Sequence, residues 1–267
     1  MMLNGLANVP SAKFMKFLQG YVGGPLQAHS WVSNARKSIL NVCESNEYAF
    51  CGFFKDAYRS LVGVVETNNG EFIVFRKPVF DVENVLEASQ AWSDRMVGPH
   101  VFHIVDDIVY TEFVEMERFF ESFKFDDAVR IVNSVSLDGL SKPESLVERL
   151  DSRELVNREL VAKAGNNQEM LRWLSEWVEL KDRIIELAGD TAHVCHGDLH
   201  AMNIVKGKDG GFCFIDPEPF VGPMEFDLVK LIISLGLDPL VFVDEPGVNR
   251  ELFETISLYM FKSLEIL

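Results

Sequence analysis

The stretch His196-Gly-Asp-Leu-His-Ala-Met-Asn203, followed after a short apolar hairpin by Phe214-Ile-Asp-Pro217, decides the reading of this chain. Asp198, Asn203 and Asp216 stand at spacings of five and thirteen. A loop bearing an aspartate and an asparagine, then a hairpin ending in a second aspartate, brings three oxygen-bearing side chains into one compact unit. Phosphoryl transfer from MgATP asks for such a set. One carboxylate orients the attacking hydroxyl and takes its proton, an amide oxygen serves one Mg²⁺, and a second carboxylate holds the metal that bridges the phosphates. The apolar flanks, Ile204-Val205 and residues 212–215, anchor the hairpin so that its polar tips stay in place.

Upstream, residues 48–54, 60–66 and 71–76 are short runs rich in β-branched and aromatic residues, with Asn68-Asn69-Gly70 as a hairpin signal. A helical stretch at 82–97 follows, then strands at 101–105 and 108–113 joined by Asp106-Asp107. Before these, Ser11 caps a helix through residue 19, Gly23-Gly24-Pro25 stops it, and a second helix is expected at 33–43. Residues 144–150, 152–164 and 167–187 carry the helical period, and 224–267 returns to helices. The fold class is α+β. It comprises an N-terminal helical extension (1–47), a small antiparallel β-rich nucleotide-binding lobe (48–115) and a mainly helical lobe (116–267) carrying the loop and the hairpin. Two lobes joined near residue 115 imply a cleft, where small ligands bind.

A kinase reading also asks for a basic residue on the last strand before the helix, with an acid on that helix. Phe75-Arg76-Lys77-Pro78 ends such a strand, and Glu87 lies ten residues after Lys77. Lys77 is expected on the α- and β-phosphates, with Glu87 holding it. Adenine is expected against the backbone of the connector at Glu112-Phe113-Val114.

Together these residues resemble the aminoglycoside phosphotransferase family, within the wider protein-kinase-like fold, and most of all its streptomycin and hydroxyurea phosphotransferase branch. The matching pieces are His196-Gly-Asp-Leu-His-x-x-Asn203, Ile215-Asp-Pro-x-Pro219 with Gly222, and Glu225-Phe-Asp-Leu228. The resemblance spans residues 48–260 and is strongest over 193–231. It implies a two-lobed kinase-like fold, ATP and Mg²⁺ as cofactors, Asp198 as catalytic base, and Asn203 and Asp216 as metal ligands. It also implies that His196 and Asp227 brace the catalytic loop. The loop 52–60 departs from the pattern: it has one glycine, so Lys55, Arg59 or Ser60 is expected to substitute in covering the phosphates. Protein kinases carry a lysine two residues after the catalytic aspartate; here His200 stands there, which favours a small-molecule hydroxyl acceptor such as an aminoglycoside, a sugar or an amino alcohol.

Composition sets the remaining bounds. The 267 residues carry 25 Lys and Arg against 41 Asp and Glu, a formal net charge of −16. That argues against phosphate-backbone binding to nucleic acid, disfavours an anionic membrane surface and suits a neutral or cationic acceptor. The acidic residues Glu115, Glu117, Glu121, Asp126 and Asp127 read as a solvated face or as the wall of an acceptor pocket. Glu218 is a candidate for a second metal or a substrate ammonium. Cys43, Cys51, Cys195 and Cys213 are scattered, so reduced thiols and a cytoplasmic setting are expected. Residues 228–243 are interrupted by Lys230, Asp238 and Pro239, too broken to span a bilayer. Two other readings stand beside the kinase: a non-catalytic kinase-like nucleotide-binding protein, and a zinc-dependent hydrolase using His196, Asp198 and His200.

Overall fold

The computed structural model describes residues 6–55, 57, 59–114, 124–135, 140–141, 143–165, 167–190, 193–207 and 211–264. The chain divides into two compact units, Met1–Glu115 with Gly207–Asp209, and Met116–Lys206 with Gly210–Leu267.

In the first unit Ser11 closes the start of α1 (Ala12–Val22) by accepting the Phe14 N–H at 3.0 Å. Helix α2 (Pro25–Asn46) begins well before the expected residue 33. Pro25 both ends the first helix and opens the second, because at the first helical position its missing N–H costs nothing and its φ is preset. The strands β1 (Leu6–Ala7), β2 (Ala49–Phe54), β3 (Ser60–Glu66), β4 (Phe72–Pro78), β5 (Val101–Val105) and β6 (Ile108–Glu112) form one antiparallel sheet in the order β1-β2-β3-β4-β6-β5. Five of them follow the sequence pattern. The sixth, β1, is two residues long and pairs Leu6 with Phe54, too short to leave a period in the sequence.

Phe53, Leu61, Val65, Ile73, Phe75, Ile108 and Tyr110 pack against Phe14, Leu18, Ala35, Ile39 and Val42. Helices α1 and α2 therefore cover one face of the sheet and belong to the first unit. Strand side chains alternate between faces. Ile73 and Phe75 lie in this core, so Lys77 shares their face, while Val74 and Arg76 point to the other. Helix α3 (Val82–Asp94) packs on β4, β5 and β6, and its buried Val85, Ala88 and Trp92 take no part in the α1–α2 core, so α3 covers the opposite face.

The second unit holds α4 (Phe125–Val135), α5 (Leu146–Lys163), α6 (Gln168–Ala188), α7 (Glu225–Ser234) and α8 (Arg250–Leu264). The break expected near residue 151 is absent. Ser145 and Glu148 form a reciprocal capping box that starts one continuous α5, and Asp151 pairs with the buried Lys181 of α6 at 2.8 Å instead of capping a new helix. Trp177 and Tyr259, both fully buried, stack α6 on α8 with rings 5.0 Å apart.

Two small sheets position the loop. Strands β7 (Glu144–Ser145), β8 (Val194–Cys195) and β11 (Phe220–Val221) form one, with β11 antiparallel to β8 and parallel to β7. Strands β9 (Ile204–Lys206) and β10 (Phe212–Phe214) form the hairpin, with Phe214 opposite Ile204. Residues 196–203 leave β8, and residues 215–219 lead into its partner β11. The two segments therefore run side by side from a paired base.

Candidate active site

The loop from His196 to Asn203 is held by its backbone. Gly197 has φ +78°, and a Cβ there would lie 1.8 Å from the Glu218 carbonyl oxygen, so no residue with a side chain fits. The Glu218 N–H donates to the His196 carbonyl at 2.9 Å. Asp227, in the first turn of α7, accepts the His196 N–H on Oδ2 and the Gly197 N–H on Oδ1 at 3.0 Å. Burial pushes its carboxyl up to about 6, against the pull of these two donors. Ser234, at the far end of α7, accepts the Ala201 N–H at 2.8 Å.

His196 is wholly buried. Its Nδ1 accepts the Asp198 N–H at 3.3 Å and its Nε2 meets the Ile215 carbonyl at 3.0 Å. One nitrogen accepts and the other donates, which fixes the neutral Nε2–H tautomer. Burial lowers its pKa to about 3. Both ring nitrogens are thus engaged inside the protein, and among the described residues no three His, Cys, Asp or Glu side chains group as a metal site. The zinc triad His196, Asp198 and His200 is not assembled: the first is a buried brace.

Asp198 is the focus of the loop. Its Oδ1 pairs with the Lys230 ammonium from the middle of α7. Among the described residues its Oδ2 makes only long contacts, to Asn203 Nδ2 at 3.4 Å and His200 Nε2 at 3.6 Å. Burial would raise the Asp198 pKa, but the Lys230 charge outweighs it and holds the carboxyl below its usual range. Asn203 donates its amide N–H to the Asp198 carbonyl at 2.9 Å, which leaves its Oδ1 turned away from that bond. The Asn203 carbonyl in turn accepts the Ile215 N–H at 3.0 Å. That bond places Asp216, exposed and at φ 61°, beside Asn203 at the open end of the hairpin. The Asn203–Asp198 and Ile215–Asn203 bonds thus bring the segments that bear Asp198, Asn203 and Asp216 side by side.

A buried arginine, Arg149 of α5, completes the frame. It donates to the Gly197 carbonyl at 3.0 Å, to Glu218 at 3.2 Å and to Glu144 at 3.2 Å, and it lies 4.7 Å over the Phe220 ring. Glu218 is consequently an internal partner of Arg149. It does not stand ready for a substrate ammonium, as the sequence had allowed.

In the first unit the structure does not join Lys77 to Glu87. The Lys77 ammonium donates to the Asp106 carbonyl at 2.5 Å, lies 3.8 Å from the Asp107 carboxylate, and sits 5.8 Å over the Trp31 ring of α2. The reason is strand parity: Lys77 shares the α1–α2 face, whereas Glu87 is on α3. Arg76 is the basic residue on the α3 face, where its Nε donates to Ser60 at 3.1 Å. Glu112 closes β6 with its N–H on the His100 carbonyl at 2.9 Å, Phe113 donates to Phe72, and Val114 follows as the first connector residue past the sheet. Arg59 lies 5.0 Å over the Phe80 ring. Asp127 pairs with Arg130 on α4, while Glu115, Glu117 and Glu121 lie outside the described residues.

Sequence reasoning missed Lys230, Arg149, Ser234 and Arg76. The spacing Asp227-x-x-Lys230-x-x-x-Ser234 was a usable signal for one helix face, and the apolar alternation of Ile73 and Phe75 was the signal for Arg76. Nothing local marks Arg149.

No family model matches the chain, and no curated protein matches it in sequence. Solved structures do. Choline kinase LicA from Streptococcus pneumoniae, also solved with AMP, is similar with a TM-score of 0.64 and 14% identity, covering 87% of this chain and 89% of that one. Choline kinase from Cryptosporidium parvum Iowa II has a TM-score of 0.56 at 13% identity, over 86% of this chain and 80% of that one. Aminoglycoside phosphotransferase APH(3'')-Id from Streptomyces rimosus has a TM-score of 0.52 at 15% identity, over 87% of this chain and 98% of that one. These likenesses show the fold: the kinase-like α+β architecture shared by choline kinases and aminoglycoside phosphotransferases, with an antiparallel β unit followed by a mainly helical one. No helix among the described residues is long and apolar enough to cross a membrane.

Proposed function

We propose that this chain is a small-molecule kinase, moving the γ-phosphate of ATP to a hydroxyl group with Mg²⁺ as cofactor. The observation that carries the reading is that the segments bearing Asp198, Asn203 and Asp216 lie side by side, with one Asp198 oxygen anchored and the other, among the described residues, making no short bond. The fold shared with choline kinases and aminoglycoside phosphotransferases supports it.

Asp198 is the proposed base. Oδ2 receives the acceptor hydroxyl, orients its oxygen toward the γ-phosphorus and takes its proton. His196 and Asp227 keep the loop rigid so that this oxygen has one direction. Asn203 Oδ1 and the Asp216 carboxylate are the proposed metal ligands. Mg²⁺ takes oxygen donors, commonly one or two side chains with the rest from phosphates and water, and this pair fits that demand without a closed cage. When bound, the ion neutralises charge on the β- and γ-phosphates. In the first unit we assign the phosphate-holding role to Arg76 in place of Lys77, with Glu87 as its partner on the α3 face. Val114 is the proposed connector contact for adenine, because the N–H groups of Glu112 and Phe113 are spent on the sheet.

The acceptor is proposed to be a small alcohol, and the negative charge of the chain favours a cationic one. The test is ATP consumption with Mg²⁺ against pooled aminoglycosides, sugars and amino alcohols. Turnover with one pool is the expected result. Nucleotide binding without turnover on any acceptor would leave a binding protein in place of an enzyme.

A further inference from the structure

One face of α7 follows the loop along its length. Asp227 takes the N–H groups of residues 196 and 197, Lys230 takes the Asp198 carboxylate, and Ser234 takes the Ala201 N–H. The outer two anchors bind backbone. The middle one binds the side chain on which the proposed chemistry turns.

Holding the loop does not require Lys230. The backbone around Asp198 is already fixed by Asp227 on Gly197 N–H, Arg149 on Gly197 carbonyl and Asn203 on Asp198 carbonyl. Lys230 is moreover costly where it stands: burial lowers its pKa in spite of the opposing pull of the Asp198 carboxylate. An ammonium has three donors. Lys230 uses one on Asp198 Oδ1 and a weak second on the Gly197 carbonyl at 3.4 Å. The third has no partner among the described residues, and the side chain retains 26% exposure, so it is reachable.

We propose that Lys230 is a catalytic residue: anchored on Asp198 Oδ1, its ammonium donates the remaining N–H to a non-bridging oxygen of the phosphoryl group in transit. The inference rests on the phosphotransferase reading above. An acceptor hydroxyl on Oδ2 stands about 3 Å from the phosphorus it attacks, and the ammonium occupies the other oxygen of the same carboxylate. In the transfer the hydroxyl oxygen bonds to phosphorus. The bond to the bridging oxygen breaks, its electron pair leaving on the nucleoside diphosphate, and the hydroxyl proton passes to Asp198. Lys230 gives up no proton; it stabilises negative charge that spreads over the equatorial oxygens.

The test is calorimetry of MgADP, alone and with aluminium fluoride as mimic of the phosphoryl group in flight, on the full chain and on Lys230→Gln and Lys230→Arg. The glutamine amide keeps two donors for Asp198 and Gly197, so the fold is retained while the charge and the third donor are lost. Lys230→Gln is expected to bind MgADP like the parent and the fluoride complex about 10²-fold more weakly, the usual loss for one transition-state donor. Lys230→Arg is expected to recover most of it. Equal weakening of both ligands, or a fluoride affinity within about threefold of the parent, overturns the inference in favour of a structural lysine. Fluoride that adds nothing to MgADP binding in the parent overturns it too. A parent that binds no MgADP at all sinks the phosphotransferase reading itself, an outcome seen before any variant is made.

Discussion

Asp227→Asn separates the cost of a buried charge from the value of the bonds it makes. The carboxylate of Asp227 is fully buried, and burial lifts it from 3.8 to about 6. Each unit is worth about 1.4 kcal/mol, so keeping the group ionised at pH 7 costs the folded state about 3 kcal/mol. Asparagine removes that cost. It also keeps only one acceptor oxygen for two backbone donors, His196 N–H and Gly197 N–H. Leaving one of them without a partner costs about 1–3 kcal/mol. The two effects nearly cancel, so the variant should unfold within about 2 kcal/mol of the parent, a change of several degrees in Tm at this size. Turnover should still fall, because the loop around Asp198 loses an anchor. Urea denaturation at pH 7 and phosphotransferase kinetics on the same preparation decide it. A loss of stability beyond about 4 kcal/mol refutes the burial cost, and an unaltered rate refutes the idea that α7 holds the loop for catalysis.

Asp198→Asn should keep Mg-nucleotide affinity and lose about 10²- to 10⁴-fold in turnover, whereas Asp216→Asn should weaken the Mg²⁺ dependence of nucleotide binding; titrations of metal and nucleotide distinguish them. Arg76→Met should lower nucleotide affinity about tenfold or more, as loss of a charged hydrogen bond does, while Lys77→Met should change it by less than about threefold. His196 predicts acid sensitivity. Its folded pKa of about 3 lies below the unfolded 6.5, so the unfolded state binds a proton that the native state refuses, and stability falls as pH drops from 6.5 towards 3. By pH 5 this amounts to about 2 kcal/mol relative to neutral pH. Asp227 has the opposite slope between 3.8 and 6. The stability gap between His196→Gln and the parent should therefore shrink by about 2 kcal/mol from pH 7 to pH 5 in urea melts; a constant gap contradicts the neutral imidazole.

What could be read in the sequence followed how locally each feature is encoded. Asp198, Asn203 and Asp216 lie on one loop and hairpin, and the apolar pairs around Ile204 and Phe214 register them within eighteen residues. The strands of the first sheet were visible because Ile73, Val74 and Phe75 repeat a β pattern. Neither Arg76 nor Lys77 shows by itself which face of the strand helices α1 and α2 will cover; only the packing of Phe14 and Ile39 in one core with Ile73 and Phe75 decides that. Lys230 is 32 residues from Asp198, and a single lysine in an apolar helix reads as solvated until the fold turns it onto the loop. Arg149 lies 48 residues before the carbonyl it meets, on a helix whose pattern gives no hint of a buried cation.

The stripe of Asp227, Lys230 and Ser234 makes length between them a hard constraint. One extra residue within α7 would turn everything beyond it by about 100°, swinging Ser234, and Lys230 when the insertion precedes it, off the loop. Insertion or deletion scanning should thus meet an abrupt border across residues 228–233, where every change of length is inactivating whatever residue is added.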